Sequence, residues 1–422
     1  MITKLAWRNI WFKPLNTILS IILLTSSVAI ITVLVLLEKQ FEEKFTNNID
    51  GVDLVLGAQG SPLQLILSSV YQVDAPTGNI SYDSAKVWMQ HPFVKKAIPL
   101  AFGDNYRGYK ILGTTPDYLE KYNAKIKEGR IYEKNFEVVI GGEIAQKLNL
   151  KIGDEFFGSH GDAEEGEVHD HYAYKVVGIS EITGKVVDNL ILCTIPSVWQ
   201  MHGGHEESPV HGEEGHIHED GDEHLQHEHE HHHDMTLNEP GMEITAVLLQ
   251  FRNKMGIVTW PRIIAQNTKM QVASPAIEVN RLFSLFGIGI EALRYLAYGI
   301  MLISGISIFI ALFNTLKERK NEFALLRVNG AKRFQLLKLI MIESILLCIV
   351  GFIFGTILGR IALMLISNSA EQDFKFSFNP YEFIWKKEGI LFGLTLLVGF
   401  FAALIPAIKA YQLNISKTLA NA

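Results

Sequence analysis

Four stretches of this 422-residue chain hold apolar side chains with almost no charge, and they constrain the fold more than any other feature. Leu15 to Leu37 contains no charged residue in 23 positions, and Tyr295 to Phe313 contains none either. A third stretch runs from about Leu339 to Ile366 with only Glu343 and Arg360 charged, and a fourth runs from Gly389 to Ile408. At about 1.5 Å per residue, roughly 20 helical residues cross a hydrocarbon layer of about 30 Å, so each is read as a membrane-crossing helix. A secretory signal peptide is the competing reading of the first, because Ser27-Val28-Ala29 has small-x-small form. The apolar run continues for eight residues beyond it, which a cleaved peptide does not need, so an uncleaved anchor is expected. The mean hydropathy of +0.17 fits a chain that is partly in lipid, and 48% hydrophobic residues exclude wholesale disorder.

Charge is distributed as a membrane topology would distribute it. Residues 1–14, 314–338 and 409–422 together carry 12 basic and 2 acidic residues, while the remainder has a balance of −17. Short basic loops belong in the cytoplasm. Both termini are therefore expected inside, with 15–37, 295–313, 339–366 and 389–408 spanning, 38–290 outside as one block and 367–388 a short outer loop. Arg360, roughly 21 residues into the third span, is expected to snorkel to the outer interface. Within 38–290, the runs Phe136–Ile140, Tyr172–Ile179, Leu190–Thr194 and Ile244–Phe251 read as strands, and Ser84–Gln90 and Gly142–Leu148 as short helices. The fold class is then an α+β membrane protein: four transmembrane helices with a large mixed α/β domain between the first and second. Gly57, Gly60, Ser61 and Pro62 read as a tight turn after the first span, since no GxxxxGK[ST] phosphate loop occurs in the chain. Cys193 and Cys348 are too few for a disulfide framework or a four-thiolate zinc site.

The basic loop between the second and third spans carries the most specific signal. From Leu316 it reads Leu-Lys-Glu-Arg-Lys-Asn-Glu-Phe-Ala-Leu-Leu-Arg-Val-Asn-Gly330-Ala-Lys-Arg. Phe323, Leu325 and Leu326 fall on one helical face, Lys317, Arg319 and Lys320 keep the other wet, and Gly330 is placed to end the helix in a left-handed cap. Such a helix can be offered to a groove on a cytoplasmic partner, or it can lie on lipid headgroups. Glu343, about one turn into the next span, can cap that helix from the interface or take part in coupling or cargo contact.

The string Glu318-Arg319-Lys320-x-Glu322-x-Ala324-x-Leu326-Arg327-x-x-Gly330-Ala331 resembles the FtsX-like, MacB-type ABC permeases. So do Leu5-Ala6-Trp7-Arg8-Asn9 before the first span, Gly351, Gly355 and Gly359 in the third, and Ile405-Pro406-Ala407-x-Lys409-Ala410 at the end of the fourth. Outside the membrane, Gly113-Thr-Thr-Pro-Asp-Tyr-Leu119, Gly129-Arg130, Val139-Ile-Gly-Gly-Glu-Ile-Ala145, Gly153-Asp154 and Val176-Val-Gly-Ile179 are similar to the MacB-like periplasmic core domain. The resemblance implies an inner-membrane permease subunit of the mechanotransmission class (type VII), with no intrinsic cofactor, paired with a second copy or a paralogue. A separate cytoplasmic ABC ATPase would bind the ATP. It further implies that Glu318, Glu322, Leu326, Arg327, Gly330 and Ala331 belong to the element that docks on that ATPase, and that the outer domain works on a periplasmic or lipoprotein partner.

A histidine tract interrupts the resemblance. Fourteen of the 15 histidines lie between His160 and His233, and eleven of them crowd into the stretch from His202 onward: His202, His205, His211, His216, His218, His224, His227, His229, His231, His232 and His233. Glu and Asp fill the stretch, and no Lys or Arg occurs between Lys185 and Arg252. Imidazole and carboxylate are ligands for zinc, so the tract can bind Zn2+, or it can be a solvated spacer; either way residues 202–234 are too polar to pack a core. His227-Glu-His-Glu-His231 and His229-Glu-His-His-His233 both satisfy HExxH, but a His/Glu repeat yields that pattern by chance and lacks the buried helix a zinc protease needs.

Three functions remain in view: a permease subunit that transmits ATP-driven motion to the outer domain, with the histidine loop linking it to zinc; a transporter passing zinc or a metal complex through the membrane; and a divisome-type scaffold regulating a periplasmic hydrolase. The second is disfavoured because Glu343 and Arg360 are the only charges inside the spans. No nucleophile elbow, CxxC or nucleotide loop supports an intrinsic enzyme, and the acidic outer block disfavours nucleic acid.

Overall fold

The computed structural model describes residues 2–12, 14–159, 172–202, 236–237, 239–374 and 377–413. Helices α1 (Ile2–Ile10) and α2 (Pro14–Ile49) come first. Then follow β1 (Leu54–Ala58), α3 (Pro62–Ser69), β2 (Ile80–Ser81), α4 (Tyr82–Met89), β3 (Val94–Tyr106), β4 (Tyr109–Thr114), α5 (Asp117–Tyr122), β5 (Ile126–Gly129), β6 (Glu137–Ile140), α6 (Gly142–Leu148), β7 (Glu155–Phe156) and β8 (Tyr174–Ser180). A 3-10 turn (Val186–Asn189), β9 (Leu190–Cys193), α7 (Ile195–His202), β10 (Glu243–Ile244), β11 (Ala246–Phe251), α8 (Met255–Asn267) and β12 (Met270–Ala273) complete the strand-rich part. The order closes with α9 (Pro275–Glu318), α10 (Lys320–Val328), α11 (Arg333–Phe374) and α12 (Trp385–Tyr411). The chain divides into two units, Lys44–Arg281 and the combination of Met1–Glu43 with Leu282–Ala422.

In the first unit, ten strands among the described residues form one mixed sheet in the order β12-β1-β11-β3-β4-β9-β6-β8-β5, with β7 also on β8. Most neighbours are antiparallel, while β4 with β9 and β6 with β8 run parallel. The strands and helices expected from sequence appear within a few residues of their expected bounds. The Ile244–Phe251 run splits in two, because β10 pairs with β2 and only β11 joins the large sheet. The glycines after the first span are not a simple turn: Gly57 lies inside β1, and Ser61 caps α3 by accepting from the Gln64 backbone N–H at 3.4 Å, with Pro62 opening the helix. A Cβ at Gly57 would stand 2.4 Å from Leu65 Cδ1, so the missing side chain is what lets α3 pack on β1. The core is apolar and aromatic, with Leu54, Leu56, Ile111, Val138, Ile140, Tyr174, Val176, Ile191 and Val247 wholly or almost wholly buried.

In the second unit, Pro14–Ile49, Pro275–Glu318, Arg333–Ala370 and Trp385–Tyr411 are long and apolar enough to cross a membrane. Between lipid-facing helices there is little hydrophobic driving force, so close packing and a few polar contacts must hold them. The close packing comes from Gly351, Gly355 and Gly359, one turn apart on α11. A Cβ on each would meet Leu24 Cδ2 at 2.6 Å, Val28 Cβ at 2.6 Å and the Ala29 carbonyl at 2.9 Å, all on α2. Gly399 on α12 takes the same part against Cys348, whose Sγ would lie 2.2 Å from an added Cβ. Polar contacts accompany them: Ser27 Oγ donates to the Ala297 carbonyl at 2.9 Å and Ser344 Oγ to the Gly399 carbonyl at 2.7 Å.

A set of charges ties one end of these helices. Arg360 does not snorkel alone: its Nη2 pairs with Glu388 Oε1 at 2.7 Å, and Glu388, 4% exposed, opens α12. Beside it Glu38 accepts from Arg294 at 2.9 Å and from Lys387 at 3.0 Å, Lys39 pairs with Glu382, and Gln40 exchanges two hydrogen bonds with the Asn379 backbone. These partners flank the apolar runs and become neighbours only when the helices assemble, so the pairing is not legible in the sequence.

Replacing Gly355 with Leu should force α11 off α2 at a cost of about 1–3 kcal/mol, whereas the same change at Gly393, which faces open space, should be close to neutral. Thermal unfolding of the two variants in detergent checks this, with only Gly355→Leu lowering the midpoint.

Candidate functional site

The loop between α9 and α11 is built as a short, separately capped helix. Arg319 sits at the break between α9 and α10, where Nη2 pairs with Glu322 Oε2 at 2.6 Å and Nε donates to the same oxygen at 2.7 Å. Its guanidinium also stands 5.2 Å from the Phe12 ring and 5.5 Å from the Phe323 ring, within the range of a cation–π contact. Phe323 and Ala324 face inward, 2% and 0% exposed, and Leu326 packs partly against the same apolar cluster. Leu325, expected on that face, is turned outward with Val328 and Glu322. At about 100° per residue, Leu325 lies roughly 160° around the helix from Phe323 and about 100° from Leu326, which leaves it uncovered.

The expected cap at Gly330 is present in full. Gly330 has φ +95°, its N–H donates to the Arg327 carbonyl at 3.2 Å, and the Ala331 N–H reaches back to the Leu326 carbonyl at 3.0 Å. Those two bonds are the Schellman pair that satisfies the last carbonyls of a helix, and only glycine adopts that φ without strain. Arg327 Nη1 donates to the Ala331 carbonyl at 3.3 Å, closing the turn from the side. Of the six residues assigned to the loop, Glu318 ends α9, Glu322 holds Arg319, Leu326 anchors α10, and Arg327, Gly330 and Ala331 make the cap. Arg319, expected on the wet face, is instead largely enclosed, its side chain only 11% exposed, and Phe12 and Asn9 were missed as neighbours of this loop. Asn9 Nδ2 donates to Glu343 Oε1 at 2.6 Å, with Glu343 3% exposed, so Glu343 holds α1 instead of reaching water.

Among the described residues no group of three or more His, Cys, Asp or Glu could hold a metal ion. Of the eleven tract histidines, His202 closes α7, and His205, His211, His216, His218, His224, His227, His229, His231, His232 and His233 lie outside the described residues. Cys193 and Cys348 are both free and buried.

Two charged groups of the sheet unit, Glu137 and Lys121, are held far from their ordinary values in opposite ways. Arg130, next to the Gly129 of the β5 motif, grips Glu137 through two hydrogen bonds of 2.8 and 2.5 Å and holds its carboxyl down at about 2. Lys121 is the opposite case. Its Nζ donates to the Asn48 carbonyl at 2.7 Å and lies 3.5 Å from the centre of the Tyr122 ring. Burial first, then the nearby Lys185 charge, pull it down to about 7, with Asp50 opposing.

With this geometry the class of protein is defined: a membrane protein of four apolar helices with a mixed α/β domain inserted between the first and second. Residues 16–209 match the MacB-like periplasmic core domain, and residues 295–415 match the FtsX-like permease C-terminal region. The chain belongs to the MacB/FtsX-type ABC transporter permeases. Over 121 residues it is 27% identical to the macrolide export ATP-binding/permease protein MacB of Agrobacterium fabrum, covering 29% of this chain and 18% of that protein, so it spans less than a fifth of that relative's length. It is also similar to the periplasmic region of MacB from Actinobacillus actinomycetemcomitans, at 9% identity and TM-score 0.35, over 57% of this chain and 97% of that structure. Similarity to the extracellular domain of the noncanonic ABC-type transporter YknZ from Gram-positive bacteria reaches 11% identity and TM-score 0.31, over 52% and 99%.

The Lys121 environment sets a pH dependence. Below about 7 the amine is charged in folded and unfolded chains alike, and the burial cost is fully present. Between about 7 and the ordinary value of 10.5, the folded chain releases the proton that the unfolded chain keeps, so the sheet unit gains stability as pH rises. Lys121→Met should flatten that rise between about pH 7 and about pH 9, measured as chemical unfolding midpoints of the two proteins.

Proposed function

We propose that this chain is the permease subunit of an ABC complex in the bacterial inner membrane, coupling ATP hydrolysis by a separate cytoplasmic ATPase to conformational work in the periplasm. Both termini and the loop 314–338 are cytoplasmic in this reading, the sheet unit is periplasmic, and a second permease copy completes the complex. The observation that carries the proposal is α10. It is pinned inward by Phe323 and Ala324, closed at its end by Gly330, and leaves Glu322, Leu325 and Val328 outward. A helix fixed on one face and bare on the other is suited to passing a push from a partner groove into α9 and α11. The scarcity of charge within the four apolar helices argues against passage of ions between them, so the work is assigned to the periplasmic side, on a lipoprotein, an efflux partner or a similar cargo.

The histidine tract is assigned a zinc-binding role in the periplasm on its composition. Neutral imidazole is the ligand, so affinity should fall as the histidines protonate around their ordinary value of about 6.5. Zinc titration of the full chain at about pH 7.4 and about pH 5.5, beside a variant lacking residues 203–235, checks this; equal affinity at both pH values, or in the variant, would refute histidine ligation.

Coupling is tested by purifying the chain through a tag other than polyhistidine, identifying the co-purifying ATPase by mass spectrometry, and reconstituting the pair in lipid. Gly330→Pro imposes a negative φ on a position at +95° and should remove permease stimulation of ATP hydrolysis while the protein stays folded. Arg327→Glu should do the same. Unchanged stimulation in both variants would return α10 to a passive surface helix.

A further inference from the structure

One surface is absorbed by neither the fold nor the proposed coupling: the outward face of α1. Its inward face is accounted for, with Ala6, Asn9 and Ile10 at most 8% exposed and Asn9 bonded to Glu343. The turn into α2 is fixed by the Phe12 N–H on the Asn9 carbonyl at 3.0 Å and by Thr17 Oγ1 on the Ile10 carbonyl at 2.7 Å. Lys4, Trp7 and Arg8 share the opposite face by helical spacing, and Trp11, in the turn just after Ile10, sets its ring beside that of Trp7. Both cations are exposed, the two indoles are about half-exposed, and their rings meet edge-on at 6.4 Å between centroids. Phe12 is 52% exposed just beyond them.

We propose that this face of α1 is a binding surface for anionic phospholipid headgroups. Its position is set by the chain: Pro14 opens a membrane-crossing helix only a short turn after Ile10, so α1 lies at the boundary between hydrocarbon and water. Indoles concentrate at that boundary, where the ring is buried in lipid and the N–H meets the headgroup layer. The charge complements a negative surface. No Asp or Glu occurs from Ile2 to Phe12, and neither Lys4 nor Arg8 forms an ion pair with a described residue. A face meant for water would not present two half-exposed tryptophans, and one meant for hydrocarbon alone would not hold two unpaired cations. The pinned inward side lets headgroup contact be made without ordering α1 at that moment, which is the usual entropic obstacle for a peripheral helix.

The test uses the full chain in nanodiscs of phosphatidylcholine, alone or mixed with phosphatidylglycerol. The emission lost on W7F/W11F isolates the two indoles from the other four tryptophans. It should be quenched more by lipids brominated near the headgroup end of the acyl chain than by lipids brominated near its tip. Preference for spin-labelled phosphatidylglycerol over phosphatidylcholine should fall in K4E/R8E, by about fivefold for each cation. It should hold in R262E/K269E, an equal charge change on the sheet unit. These substitutions touch none of the buried α1 residues, and retained elution volume shows that the fold persists. Indoles that neither bromine position quenches, as on a face reserved for a soluble protein, would overturn the proposal. So would a lipid preference that survives K4E/R8E.

Discussion

The helical unit rests on the absence of side chains at one seam. Gly351, Gly355 and Gly359 bring α11 onto α2 at distances where a single methyl group would collide with Leu24, Val28 or the Ala29 carbonyl. In lipid the surrounding solvent is as apolar as the helices, so contact area without voids is what association gains. The rest follows from that contact. Once α2 and α11 are in register, α1 is brought beside Glu343, Ser27 meets Ala297, and α12 closes on Gly399 against Cys348.

At one end of the same helices the problem is inverted, because charges must be kept where water is scarce. Arg360 and Glu388 neutralise one another, and Phe383 lies 5.5 Å from the guanidinium. A pair of this kind gives little net stability relative to apolar packing, yet either partner alone would be costly, so it acts chiefly to select one arrangement of α11 and α12. The neighbouring pairs of Glu38 with Arg294 and Lys387 draw α2 and α9 into the same arrangement.

What the sequence disclosed follows from the range of each interaction. The four apolar runs, the α10 helix and the Gly330 cap are written in contiguous residues, so periodicity and a single glycine suffice to read them. The α6 helix and the β6, β8 and β9 strands were equally legible. Strand order was not, since β4 lies beside β9 and β11 beside β3 for reasons of packing across many residues. Leu325 was misplaced because three apolar residues in close succession cannot all face one way on a helix. The partners of Arg360 and Glu343 escaped for a related reason: Glu388 and Asn9 look like ordinary polar residues at helix ends until α11 is laid against α12 and α1.

The position of β1 in the sheet has a consequence for how the chain is made. Among the described residues β1 pairs only with β11 and β12, whose residues lie some 190 to 220 positions later. The strand that directly follows α2 therefore leaves the ribosome with both of its edges bare; one can be covered only once Ala246–Phe251 has been synthesised, and the other only once Met270–Ala273 has. The intervening residues, histidine tract included, must all be delivered to the same side of the membrane before the sheet can close around their first strand. Closure of the sheet unit is thus a late event of high contact order, and it reports that export of the whole inserted segment is complete.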